Sequence, residues 1–427
     1  MRIARIVGLG TGLVLSLGVV CTTVPASADE GGAEAGLSKG RALRRSGKES
    51  EALTELRRVR PIAKGETASK IDWEIARTHI AKRDFASAMS TCRSMAKDAP
   101  ASSRACAAEA HLLWRRGTEA LTEIAELAKI KDASLDARYF GKVAEGRAQE
   151  LASKDSDAEA AYKKAIEIAA DKPEAHMLLG MMMHRLGKDG VPELRRAVDI
   201  DAKDPIAQHE LGRALATDPA KINDAITALE KAVAERATYT EALRSLTEAY
   251  LAAKRVPDAK RTAESVLKIA PNDVYAHIAH GRVALAENRF DDALKEGETA
   301  VKLMPNEAKG KLLIADAYAK KGEIDLALEA YQSAAGLDHG DATPLVNAGR
   351  ACLDAGRPTS AKAYGLKATK EFPNHAPAWV LLGDALVVDK DVPAARNAYD
   401  TAKKQRDADV PSIDAKLTRL RDARPQS

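Results

Sequence analysis

Between His176 and His184 the chain carries Met177, Met181, Met182 and Met183, and here its side chains gather into a set with ligand chemistry. Thioether and imidazole are soft ligands that suit copper(I), so Met177, Met181 and His184 form a weak candidate metal set. Thioethers also fill uneven packing and line adaptable surfaces, and that is the better account of the stretch. The other histidines are His79, His111, His209, His277, His280, His339 and His375. His277 and His280 stand one helical turn apart, but no third ligand adjoins them, so both are expected to be satisfied structural histidines. No HExxH, no paired CxxC and no glycine-rich phosphate loop accompanies them. Serines and acids show no chain-local arrangement for nucleophilic or two-carboxylate catalysis. The expectation is a protein that is not an enzyme and uses no cofactor.

Cys21, Cys92, Cys106 and Cys352 are the cysteines. Cys92 is expected on the second helix of one structural unit and Cys106 on the first helix of the next. Such elements touch in a stacked array, so a disulfide between them is geometrically open, with two small buried thiols as the simpler reading.

The element that positions all of these groups is copied along the chain. Ala259, Ala293, Ala327, Ala361 and Ala395 fall at intervals of 34 residues, and Pro271, Pro305 and Pro373 keep the same register. Five units start at Thr240, Val274, Ala308, Ala342 and Ala376, each with two apolar-periodic segments and a break midway. That pattern predicts two helices per unit. Upstream the register loosens, through Gly40 and Ala52, Trp73 and Ala88, Ala110 and Gly117, Ala158 and Tyr162, Gly180 and Gly187, and Gly212 and Ala225. Ser412 to Ala423 reads as an amphipathic helix that caps the last apolar edge.

In the last unit Trp379, Leu382, Gly383 and Leu386 share one helical face, and Ala395, Tyr399 and Ala402 share the next. This spacing resembles the tetratricopeptide repeat family, whose pattern is an aromatic, a Leu-Gly pair, an aromatic, then Ala, an aromatic and Pro. Leu386 stands where the family has its second aromatic. The resemblance covers Ala33 to Val410 and implies an all-α fold, a right-handed α-solenoid of about eleven helix-turn-helix repeats with a C-terminal capping helix. The domains expected are a signal peptide over 1–28, irregular repeats over 29–239, five regular repeats over 240–410, and the capping helix and tail over 411–427. Gly281, Gly349 and Gly383 are expected where the first helix of a repeat meets the second, with the five alanines opposite them. Gly322 and Gly356 are expected at the tight turn inside their units, where glycine adopts a left-handed helix end most easily.

In arrays of this family the first helices line the concave face. Carried over place by place, one row of a partner-binding groove holds Arg244, Ile278, Leu312, Val346 and Val380, with Tyr275 near its start. A second row holds Leu251, Leu285, Ala319, Leu353 and Val387. Between them run Glu248, Arg282, Asp316, Arg350 and Asp384, alternating in sign. Two readings stand together: a self-satisfied charge ladder, and an apolar trough whose polar stripe fixes the register of a bound helix or extended peptide. Asp316 on the floor argues against a clamp for a C-terminal carboxylate.

The N-terminus bounds the compartment. Arg2 and Arg5 precede an uncharged apolar run from Ile6 to Val20, and Ala26, Ser27 and Ala28 supply a small-x-small cleavage signal before Asp29. This predicts a signal peptide cleaved after Ala28 and a periplasmic or secreted protein, with lipidation at Cys21 the weaker alternative because no small residue directly precedes it. The 427 residues carry 66 basic and 62 acidic side chains, and loss of Arg2 and Arg5 leaves 64 against 62. So balanced a chain exerts no pull toward nucleic acid, and no membrane span is expected after cleavage. The function expected is a scaffold or adaptor binding one or more envelope proteins in assembly, secretion, pilus or gliding machinery. A polysaccharide-export or peptidoglycan-associated role is the alternative, and a soft-metal or cofactor-maturation factor a lower one. The sequence assigns no oligomeric state.

Overall fold

Alanine-rich segments with apolar side chains three and four residues apart form helices throughout, because each turn buries its stripe only against a neighbouring helix. The computed structural model describes residues 29–422. The expected leader over 1–28, its cleavage point after Ala28, Cys21 and the tail 423–427 lie outside the described residues. The helices, in order, are α1 (Asp29–Arg45), α2 (Glu49–Val59), α3 (Gly65–Ala81), α4 (Phe85–Ser94), α5 (Pro100–Leu113), α6 (Gly117–Ala128), α7 (Leu135–Leu151) and α8 (Asp155–Ile168). They continue with α9 (Pro173–Arg185), α10 (Val191–Ile200), α11 (Pro205–Leu215), α12 (Ile222–Glu235), α13 (Thr240–Ala252), α14 (Val256–Ile269), α15 (Val274–Ala286) and α16 (Phe290–Leu303). The last are α17 (Ala308–Lys321), α18 (Ile324–Leu337), α19 (Thr343–Asp354), α20 (Pro358–Glu371), α21 (Ala376–Val388), α22 (Val392–Lys403) and α23 (Val410–Asp422). The fold is an all-α solenoid of about eleven helix-turn-helix units closed by α23. Among the described residues no helix is long and apolar enough to cross a membrane.

The chain divides into two compact units, one of 29–44 with 48–151 and one of 45–47 with 152–422. In the first, Leu37, Leu53, Leu56, Ile71 and Ile75 make the opening core, and Ala108, Leu112, Ala120 and Ala144 a later one. Cys92 on α4 and Cys106 on α5 are joined by a disulfide, with their Cα atoms 5.4 Å apart and 14 residues of separation. A loop that short is worth about 3 kcal/mol of unfolded-state entropy when it is closed.

In the second unit Ala259, Ala293, Ala327, Ala361 and Ala395 are all 0% exposed, each at the contact of a second helix with its neighbours. Ile413 and Leu420 of α23 are buried on Leu386, Ala398 and Ala402, which covers the terminal apolar edge. The turn inside each of the five regular units places one residue in the left-handed region: Lys254, Asn288, Gly322, Gly356 and Lys390. Only two of the five are glycine, so at Lys254 and Lys390 the tight turn is imposed by the packing of the helices it joins.

Of the expected glycine contacts, that of Gly349 is corrected and that of Gly281 proves to be shared between two helices. A Cβ on Gly281 would strike Leu313 of α17, and one on Gly349 would strike Leu381 of α21. Gly349 receives a leucine from the first helix of the next repeat, Gly281 meets both such a leucine and, at 3.1 Å, the Glu296 Cβ of its own second helix, and Gly383 admits Tyr399 of its own second helix. Leu313 and Leu381 supply the bulk that decides this, for both are buried.

Candidate functional site

The first helices α13, α15, α17, α19 and α21 carry the expected groove positions, and their exposures differ. Ile278 and Val346 are 7% and 3% exposed and belong to the inter-helix cores, so neither offers surface to a ligand. Leu251, Leu285, Leu312, Ala319, Leu353 and Val380 are half-buried, and Val387 is exposed. Arg244 forms an ion pair with Asp273, and its guanidinium lies 5.1 Å from the centroid of the Tyr275 ring. The Tyr275 hydroxyl donates to Glu307 at 2.6 Å, and this bond, with burial, pushes its pKa up.

The polar stripe pairs along its own length at one place only among the described residues. Arg282 meets Glu248 at 2.7 Å, the only pair within the stripe among the described residues. Asp316 instead accepts from the Tyr331 hydroxyl of α18 at 2.6 Å and from Asn347 Nδ2 of α19 at 3.1 Å. Asp384 accepts from the Tyr399 hydroxyl of α22 at 2.6 Å and from Lys416 Nζ of the capping helix at 2.7 Å. Arg350 is exposed and has no ion-pair partner among the described residues.

Behind this lies an alternation with a period of two over the last four repeats, which the repeat starting at Thr240, with Ser245, Glu248 and Ala263 at the matching places, does not share. Where α18 and α22 present Tyr331 and Tyr399 to an aspartate, the matching places of α16 and α20 hold Gly297 and Gly365. A Cβ on Gly297 would meet Ile314 at 2.7 Å, and one on Gly365 would meet the Leu382 Cα at 3.0 Å. The missing side chains bring α17 and α21 close, and they also leave Arg282 and Arg350 with no tyrosine behind them. Repeats starting at Val274 and Ala342 are thus Gly-Arg-Gly types, and those starting at Ala308 and Ala376 are Leu-Asp-Tyr types.

Burial pushes the Asp316 and Glu248 carboxyls above their ordinary ranges, against the pull of their hydrogen bonds and of Arg282. A carboxyl with a higher pKa folded than unfolded binds more protons in the native state. Its contribution is fully present below the unfolded value and is lost as pH rises through the folded one. Asp316→Asn, which keeps an acceptor for Tyr331, should therefore flatten the decline of stability from pH 4 upward. Urea unfolding at pH 4 and pH 7 checks this, and a slope equal to the parent's would refute it. Other carboxyls are common to both proteins and cancel.

Two constellations are completed by residues remote in sequence. His277 Nδ1 and His280 Nδ1 lie 2.7 and 3.0 Å from the two carboxylate oxygens of Glu296, and His277 Nε2 lies 3.0 Å from the Pro271 carbonyl. Burial raises the Glu296 pKa, but hydrogen bonds from His280 and His277 outweigh it and hold the carboxyl below its ordinary range. Among the described residues no group of three or more His, Cys, Asp and Glu is arranged to hold a metal ion. Met177 and Met181 pack against the core of Leu194, Leu211 and Leu215, and His184 is half-buried.

The second constellation is Ser245 Oγ 3.0 Å from His209 Nε2, with the Tyr239 hydroxyl 3.1 Å and Glu210 3.3 Å from His209 Nδ1. It has the residue types of a hydrolytic triad. Ser245 lies inside α13, however, where the backbone N–H groups are spent on the helix and none is free as an oxyanion donor. The network ties α11 to α13.

Models described as tetratricopeptide repeat match residues 216–283, and 276–342 and 346–411. No curated protein matches the chain. Among solved structures it is similar to yeast Tom70, at 12% identity over 91% of this chain and 95% of that one, with a TM-score of 0.49. It is also similar to a thermophilic repeat protein of Thermus thermophilus, at 22% identity over 42% of this chain and 99% of that one, TM-score 0.39. A third is Pseudomonas aeruginosa pilF, at 21% identity over 48% of this chain and 94% of that one, TM-score 0.37.

Proposed function

The chain carries tetratricopeptide repeats, and from that premise we propose that it is an exported, non-enzymatic scaffold of the bacterial cell envelope that holds a partner polypeptide against its first helices. The observation that carries this is the run of half-exposed apolar side chains, Leu251, Leu285, Ala319, Leu353 and Val387, repeated at one place on consecutive first helices beside the polar stripe. A periodic apolar row rimmed by charge suits a helix or extended strand laid across several repeats. Export is supported by the N-terminal pattern ending at Ala28 and by the Cys92–Cys106 disulfide, a bond that persists in oxidising compartments. Within the envelope, the machines that such a scaffold would serve are those of assembly, secretion, pili or gliding.

The test is in-cell photocrosslinking with the reactive side chain at Leu285 or Leu353, and at Glu298 on the exposed side of α16 as the control. The reading expects crosslinks to envelope proteins from the first two sites and not from the third. Equal yield from all three would move the site elsewhere. The mature N-terminus, read by mass spectrometry, should be Asp29.

A further inference from the structure

Resting on the groove reading above, we propose that the segment bound there is acidic, with carboxylate side chains placed to meet Arg282 and Arg350. The formal stripe alternates in sign, but its acids are already spent. Asp316 and Asp384 each accept from a tyrosine hydroxyl and one further donor. The arginines are backed by Gly297 and Gly365 and, among the described residues, have no hydrogen bond or ion pair with their own second helices. Arg282 keeps 54% of its side-chain surface after pairing with Glu248. Arg350 is exposed with no ion-pair partner among the described residues.

The surface left for a ligand is therefore positive, although the residue list is balanced. Lys309 and Lys320 on α17 are exposed between the two arginines, and Asp354 is the exposed acid that opposes them. The guanidinium is the side chain best shaped to take a carboxylate bidentately. Neighbouring helices pack about 8–10 Å apart, so Arg282 and Arg350, one first helix removed, are separated by about 16–20 Å. An extended chain rising about 3.3 Å per residue bridges that span with carboxylates about five or six residues apart. The ligand so defined uses internal side chains and needs no free C-terminus.

The probes are three synthetic 12-residue peptides, alternating Glu and Leu, Gln and Leu, or Lys and Leu, each with both ends blocked. Binding to the mature full chain is read by fluorescence anisotropy, with a photocrosslinker at Leu285 reporting the site. The Glu–Leu peptide should bind about tenfold or more tightly than Gln–Leu, weaken as salt is raised, and crosslink at Leu285. Arg350→Glu and Arg282→Glu, with circular dichroism equal to the parent, should each lose about tenfold for Glu–Leu and gain for Lys–Leu. Arg350→Gln should lose for Glu–Leu without the gain. Equal crosslinking by Gln–Leu and Glu–Leu at Leu285 would overturn the acidic ligand and leave the groove. Binding of Glu–Leu with no crosslink at Leu285 and no loss in the arginine variants would overturn both.

Discussion

Leu381→Ala should destabilise the C-terminal repeats by about 2–5 kcal/mol, the range for removing a fully buried leucine. Leu381 is 0% exposed and lies on the face of Gly349, where a Cβ would collide with its methyl groups. The space it fills belongs to two repeats at once, because Gly349 is on α19 and Leu381 on α21. Truncation opens a cavity that neither helix can close without sliding. Gly349→Leu alone should also destabilise, by overpacking of about 1–3 kcal/mol. Combined with Leu381→Ala, it restores a leucine to the same contact from the opposite side, so the double variant should lose less than the sum. Hydrogen exchange should localise the loss to α19–α22, since repeats couple chiefly to their neighbours. Strict additivity would mean that the two residues do not share one space.

Ala327→Trp is the second large effect. Ala327 is 0% exposed, enclosed by Ala315, Tyr331, Ala348 and Ala351 with Leu312 and Tyr364 at the margin. An indole placed among three alanines and a committed tyrosine has nowhere to go, and the cost should reach the upper end of the overpacking range, about 3 kcal/mol or more. The Tyr331 hydroxyl bond to Asp316 should break with it, leaving a buried carboxylate short of a donor. Urea unfolding should show an early transition confined to α17–α19, with the first compact unit unaffected. Parent-like stability would contradict the register that places these alanines at the helix contacts.

Most of that register was legible. The alanines, the prolines after second helices and the capping helix can be read directly, because a 34-residue period constrains each place several times over. What could not be read is which helix a small residue makes room for. Gly281 and Gly349 look alike at any distance along the chain, and only the position of Leu313 and Leu381 shows that they serve the next repeat. The stripe from Glu248 to Asp384 reads as a ladder for a similar reason. The tyrosines that its aspartates bind, Tyr331 and Tyr399, lie 15 residues downstream on a different helix. The same holds for Glu296, 16 residues beyond His280. The left-handed turns at Lys254 and Lys390 have no glycine to announce them, so composition misses them.

The alternation of Gly-Arg-Gly and Leu-Asp-Tyr repeats sets a rule for how this array can change length. Excising residues 308–341 would seat α19 on α16, so that Gly281 faced the polar Asn347 and Gly297 faced the short Ala348 in place of Leu313 and Ile314. Excising residues 308–375 would instead bring Leu381 and Leu382 to the same two glycines and preserve the fit. Within the last four repeats, deletion of two should therefore be tolerated better than deletion of one, and the structural module there is a pair of repeats.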